Sequence, residues 1–214
     1  TTSVLNEFGS KYNYEAPPII GGTYSMSFLS FNTSFEKSDE KDFSSKPFDD
    51  LRANRSIISS RLGETNQNSR FVVQDSLGNQ YAEGFGGTSQ EVLLYSFMSA
   101  YSGTSANDIP ITNFLKLIPK PNWDVTYDGL SKVPFFKRFF KNITLKHAYR
   151  STFSVGSYTR NQNFGRSEVN GDPNELDMNG NFITERQLST ASIVEAFSPL
   201  LNIDMTWNNS LLTR

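Results

Sequence analysis

The sequence predicts an all-β fold: a fragment of a very large transmembrane antiparallel β-barrel, about five wall strands, with a small helical extracellular insert. Three observations lead there: one very long two-sided stretch, alternating long and short connections, and no apolar run able to form a membrane helix. The stretch spans 142–159. Its odd positions are Ile143, Leu145, His147, Tyr149, Ser151, Phe153 and Val155; its even positions are Asn142, Thr144, Lys146, Ala148, Arg150, Thr152, Ser154 and Gly156. Successive strand side chains point to opposite faces, so one face is apolar and aromatic and the other polar, small or cationic. An ordinary strand has about 5–6 residues, whereas a tilted strand crossing a bilayer needs about 9–11 and can continue beyond it. This pattern suits a wall between lipid and a wet lumen.

Composition narrows the classes. The chain has 214 residues, 14% aromatics, no cysteine and a formal charge of −2. Near-neutral charge gives no electrostatic footprint for nucleic acid or an anionic surface. Without cysteine there is no disulfide scaffold and no thiolate metal site. No run of about 18 apolar residues occurs, so a barrel is the only predicted way across a membrane. No signal peptide opens the chain, and Thr1 reads as an internal start.

In order, residues 1–35 read as a polar lead-in without clear period, a break at Pro17, Pro18, Gly21 and Gly22, and a first wall strand. In that strand Tyr24, Met26 and Phe28 share a face, and the apolar phase then moves to Leu29, Phe31 and Phe35. Such a slip predicts a β-bulge near Phe28 and Leu29. Residues 36–112 read as a folded, extracellular insert. A charged loop leads to a helix over 47–62, with Phe48, Leu51, Arg55, Ile58 and Leu62 at helical spacing and Gly63 as its C-terminal cap. A short hairpin pairs 71–74 with 79–82. Thr88 and Glu91 form a capping box opening a second helix that runs to Tyr101 and stops at Gly103.

Residues 113–214 supply the remaining wall strands: 123–127, the central stretch, 189–197, and one from Asn202 running to Arg214 without a stop signal. A tight turn at 198–201 separates the last two. By the rule that outer-membrane barrels have short periplasmic turns and long outer loops, 131–141 and 198–201 are periplasmic, and the loop near 160–188 is extracellular. Five strands cannot close a barrel, whose usual minimum is about eight, so a fragment is expected.

The period-two phase sorts the candidate residues. Lys146, Arg150, Thr152, Ser154, Asp124, Thr126, Asp204, Thr206 and Asn208 are lumen-facing candidates; Trp123, Tyr127, Phe135, Phe136, Phe139, Phe140, Tyr149, Phe153 and Trp207 are lipid or interface candidates. In the connection at 131–141 the rings alternate with Lys132, Lys137, Arg138 and Lys141. An interfacial turn is the first reading, with rings among headgroups and cations beside lipid phosphates; a partner-docking site and a buried amphipathic turn are the others. Stacking on single-stranded nucleic acid also uses aromatic and basic residues, but the acidic whole argues against it.

Signals for catalysis are poor. The one histidine, His147, has no carboxylate near it in sequence, and a general base needs an orienting partner. No G-x-S-x-G, H-E-x-x-H or phosphate loop is present. Gly84, Gly86 and Gly87 read as a flexible loop. Asp177, Asn179 and Asn181 with Asp172 upstream resemble part of a calcium loop but lack its closing glutamate, and the same residues form ordinary turns. No enzymatic activity, cofactor or metal is expected.

Several phrases carry a resemblance: TYSMSFLSFNTSFEK, FDDLRANRSIISSRLG, SQEVLLYSFMSAYSG, IPKPNWDVTYDGL, NITLKHAYRSTFSVGSY and SIVEAFSPLLNIDMTWNNSLLTR. Together they resemble the SprA (Sov) family, the giant outer-membrane β-barrel translocon of the Bacteroidetes type IX secretion system, required for gliding motility in many members. The resemblance implies a non-catalytic segment of a pore exporting folded cargo proteins with C-terminal sorting domains, including adhesins. It also implies as partners the remainder of the same barrel chain, a PorV-type outer-membrane barrel, a periplasmic plug protein and the secreted cargo. Two other readings stay open: a segment of a TonB-dependent-type nutrient uptake barrel, and a soluble β-rich surface binding module.

Overall fold

In the computed structural model, which describes residues 2–5, 11–14, 21–39, 41, 44–66, 69, 72–162, 164 and 175–213, the two-sided stretch is one strand of 21 residues, Phe140–Arg160. In chain order the strands are β1 (Thr2–Leu5), β2 (Lys11–Tyr14), β3 (Gly21–Ser27), β4 (Ser38–Asp39), β5 (Ser44–Ser45), β6 (Val72–Gln74), β7 (Gln80–Ala82), β8 (Trp123–Tyr127), β9 (Phe140–Arg160), β10 (Arg186–Leu188), β11 (Ala191–Phe197), β12 (Asn202–Trp207) and β13 (Leu212–Thr213). The α-helices are α1 (Lys46–Thr65), α2 (Gln90–Ser102) and α3 (Pro134–Lys137). None is long and apolar enough to cross a membrane among the described residues. The lead-in, expected to lack a period, pairs β1 with β2 antiparallel, Thr2 opposite Tyr14.

β9 is the spine of the main sheet. β3 and then β8 run antiparallel along one edge, with Met26 opposite Phe153 and Trp123 opposite Tyr149. β10, β11 and β12 run antiparallel along the other edge, with Leu188 opposite Tyr158, Ile193 opposite Phe153 and Ile203 opposite Leu145. The register is constant through β10 and β11 and shifts by two residues across 198–201. Pairing continues through that shift: Ser198 N–H donates to the Ala148 carbonyl at 3.0 Å, and Ala148 N–H to the Pro199 carbonyl at 2.9 Å. Residues 198–201 are therefore a bulge in one long line and not the tight turn expected. His147 secures it, its Nδ1 donating to the Leu200 carbonyl at 2.5 Å.

The chain reverses later. Ser210 N–H donates to the Trp207 carbonyl, Trp207 N–H donates to the Leu211 carbonyl, and Ser210 takes the left-handed φ of 68° that such a turn requires. β13 then returns against β12, Met205 opposite Thr213. The expected uninterrupted strand to Arg214 is thus two strands and a turn. The described sheet is three long antiparallel lines plus the short β13, and it is open rather than closed into a barrel.

The first edge line is interrupted. Phe28 N–H still donates to the Ser151 carbonyl at 3.0 Å, after which the chain leaves the sheet. It returns at Asn122, whose side-chain oxygen accepts from Ser151 N–H at 2.9 Å. The phase change expected as a bulge is this departure; a 3-10 turn, Phe31–Thr33, follows it. The excursion between holds α1 and α2, which pack together over the sheet. Ile58 and Leu62 of α1 and Val92, Leu94, Tyr95 and Met98 of α2 form one core with Met26, Phe28, Phe153 and Val155 of the sheet. Burying each such side chain contributes roughly 1.5–3 kcal/mol.

Two local expectations yield to packing. α1 does not stop at Gly63 but continues to Thr65. Gly63 lies where a Cβ would collide with the Ala82 side chain, so it allows β7 to approach the helix. The capping box does not form either: Ser89 is the N-cap of α2, and Thr88 Oγ1 accepts from Asn181 Nδ2 at 3.1 Å. Gly103 does end α2, with a left-handed φ of 65°. Glu91, released from capping, lines a cavity of about 230 Å³ beside Tyr95 and Arg186. Burial raises its carboxyl above the usual carboxylate range, because the charged form loses hydration.

Two outcomes follow from this arrangement. Because the chain lacks cysteine, the pairs Ser192→Cys/Ser154→Cys and Thr206→Cys/Asn142→Cys should both oxidise to disulfides; a reversing turn at 198–201 would leave the second pair unlinked. Glu91, with a raised folded value, holds a proton that the unfolded chain releases, so its contribution is greatest at low pH and is lost as pH rises above the ordinary carboxylate value. Urea midpoints from pH 4 to 8 should therefore fall less steeply in Glu91→Gln than in the parent, with the variant more stable at pH 8. Parallel curves would contradict it.

Candidate functional site

Cross-strand partners share a face, so the registers assign both surfaces of the sheet. One face gathers Lys146, Arg150, Thr152 and Ser154 of β9 with Asp124 and Thr126 of β8 and Asp204 and Thr206 of β12. Eight of the nine lumen candidates are thus brought together. The ninth, Asn208, lies in the turn after β12, where its Nδ2 donates to the Lys137 and Arg138 carbonyls at 3.3 and 2.9 Å. It ties two neighbouring turns together at one end of the sheet. On the polar face Lys146 Nζ lies 3.4 Å from Asp204 Oδ2, and Ser25 and Ser154 hydroxyls meet at 3.3 Å. The ion pair is partly exposed and worth at most about 1 kcal/mol.

The opposite face is largely apolar, interrupted by His147, Ser151 and Glu195, and divides into two halves. Toward Arg160 the insert covers it, and Phe153 and Val155 are fully buried. Toward Phe140 the flanking strands leave it partly open: Val125 is 50% exposed, Tyr127 51% and Ile203 37%, while Ile143 between them is buried. Buried Ile143 and half-buried Leu145 and Met205 complete this aliphatic zone.

Aromatic clusters bound the zone at both ends. At the boundary with the insert, Trp123 stacks on Tyr149 with ring centroids 4.4 Å apart, and Phe197 lies 5.2 Å from Tyr149. Phe31 touches Trp123, Tyr149 and Phe197, and Phe35 touches Phe31 and Phe197. At the other end Phe140 and Trp207 lie 4.3 Å apart. A bulge between Thr206 and Trp207 brings them onto one face. Contacts continue from Phe140 to Phe136, Phe135 and Phe139, of which Phe135 is 68% exposed. The Arg138 guanidinium sits 5.9 Å from the Phe139 ring. From Phe140 to Tyr149 the strand rises about 30 Å at ~3.3 Å per residue.

Two of the expected lipid-facing residues are buried within the protein instead. Phe153 lies beneath α1 and α2, and Tyr149 beneath the Phe31–Thr33 turn. The Tyr149 hydroxyl accepts from Ser30 N–H at 3.0 Å and meets Ser30 Oγ at 3.3 Å, while Ser30 Oγ lies 2.9 Å from Ser151 Oγ. Ser34 Oγ donates to Glu195 Oε1 at 2.6 Å. This network pins the turn carrying Phe31 and Phe35 onto the sheet. Sequence reasoning did not single out Phe31, Phe35 or Phe197 for this belt; the only signal was that Phe31 and Phe35 fell out of phase with Tyr24, Met26 and Phe28.

The remaining sequence candidates have structural duties. Asp177 Oδ1 accepts from the N–H groups of Asn179 and Asn181 at 2.8 and 2.9 Å, an Asx turn; Asp172 lies outside the described residues. Gly86 N–H donates to Asn181 Oδ1 at 3.0 Å, so the glycine segment is docked against that turn. No protein-family model matches the chain, and no curated protein matches it significantly.

Tyr149→Phe should cost about 1–3 kcal/mol, since it leaves the buried Ser30 N–H without its partner. Denaturant unfolding followed by tryptophan fluorescence, sensitive to Trp123 stacked on that ring, measures it; an unchanged midpoint would mean the network does not hold the turn.

Proposed function

We propose that the chain is part of the wall of an outer-membrane pore that exports proteins, with the Phe140 half of its sheet in the bilayer. The observation that carries this reading is the aliphatic zone between two aromatic belts, opposite a face of charged and hydroxyl side chains. Open apolar surface of this height needs a cover, and acyl chains between headgroup-level rings supply one. The polar face, from Asp124 and Lys146 to Asp204 and Thr206, then lines water. The Arg160 half stands beyond the bilayer and carries the helical insert. The turns at 128–139 and 208–211 lie at the opposite end, where short periplasmic turns belong, and Lys132, Lys137, Arg138 and Lys141 sit among its rings.

Export, rather than uptake, rests on the resemblance to the type IX translocon family. On that reading the open edges of the sheet pair with the remainder of a much larger barrel, and a PorV-type barrel, a periplasmic plug and folded cargo are its partners. The wall acts passively: it excludes lipid on one face and presents hydrated groups to cargo on the other. The buried Arg160 half favours one further reading, a β-rich surface module with no membrane contact.

Two adjacent positions decide between them. Val125→Arg places a charge in the aliphatic zone and should reduce membrane assembly by about 2–4 kcal/mol, while Thr126→Arg on the polar face should be tolerated. Heat-modifiable mobility and protease resistance of outer membranes from each strain report assembly. Equal effects at both positions would reject the bilayer reading and leave the surface module.

A further inference from the structure

A groove of about 460 Å³ opens between β3, the end of α2 and the segment 104–120. Its size falls within the roughly 300–1,000 Å³ of small-molecule sites. Met26, Phe28, Met98, Ile109 and Leu117 form its buried floor. Lys120 N–H donates to the Ser27 carbonyl at 3.1 Å, holding the 104–120 segment against the edge of β3 and closing one side. At the mouth stand the exposed Lys116 and Lys120, with Asp108 as the one carboxylate among the lining residues. Among the described residues neither lysine lies in an ion pair.

We infer that this groove binds the acyl chain of an anionic amphiphile, a single alkyl chain with a carboxylate or phosphate head. The floor offers carbon and two thioethers, which suits a flexible alkyl chain better than a polar or planar ligand. The Met26 and Met98 side chains are unbranched and adapt to such a chain. The two ammonium groups outnumber Asp108 and sit where the head would emerge, so charge selects an anion. The site lies in the insert-covered half of the sheet, and its occupancy does not depend on the bilayer reading.

Titration of the full chain with saturated fatty acids of eight to sixteen carbons, below their micelle concentrations, tests this. Affinity should rise about fourfold per methylene, the equivalent of ~0.8 kcal/mol, and level off once the groove is full. Laurate should bind at least tenfold more tightly than dodecyltrimethylammonium, and Lys116→Glu with Lys120→Glu should erase that preference. Leu29→Trp fills the groove from its partly buried wall and should abolish binding, while Leu29→Ala should retain it. Equal binding of both head groups, no dependence on chain length, or full binding by Leu29→Trp would each overturn the assignment. The lysine substitutions are at exposed positions, so the head-group comparison stands even if the tryptophan variant does not fold.

Discussion

A 21-residue strand with one apolar and one polar face leaves a long hydrophobic surface that must be covered over its whole length. Almost everything else in the chain answers that requirement. Two flanking lines extend the apolar face laterally, pairing Met26, Ile193, Ile203 and Val125 with the odd positions of β9. About 70 Å of strand, at ~3.3 Å per residue, is far more than one small helical layer can shield. The described insert covers only the half toward Arg160.

The boundary between covered and open halves is built with care. Tyr149 supplies an aromatic face to Trp123 and Phe31 and a hydroxyl to Ser30, so one residue ends the protein core and begins the aromatic belt. Without the hydroxyl network of Ser30, Tyr149 and Ser151, the chain leaving the sheet at Phe28 would have buried polar groups and no partners for them. The bulge at 198–201 lies just on the open side, and His147 holds it by a backbone carbonyl. That explains the single histidine as a structural residue of the strand line, in a place where no carboxylate is needed.

The two-residue register shift also preserves polarity. An insertion of two keeps Ile203 and Met205 on the apolar face and Asp204 and Thr206 on the polar one, whereas a shift of one would have exchanged them. The line can therefore bend or twist at 198–201 without losing its two-faced character. The same rule explains the bulge at Trp207, where an odd step brings Phe140 onto the aromatic belt.

Alternation in 142–159, the helical spacing of Ile58 and Leu62, the stop at Gly103 and the Asx turn at Asp177 were legible in the sequence, because each depends on residues within a few positions of one another. The sorting of Lys146, Arg150, Thr152, Asp124, Thr126, Asp204 and Thr206 onto one face followed from the same period of two. What the sequence could not decide was what covers each stretch of the apolar face. Phe153 shares a core with Ile58, Val92 and Met98 only because β3 and β8 lie in line along β9 and hold the excursion between them. Gly63 reads as a cap until β7 is seen to need its missing side chain, and 198–201 reads as a turn until Ala148 is seen to pair with it from both sides. Local chemistry determined the polarity of β8, β9 and β12; long-range packing determined which apolar surface was core and which was left open.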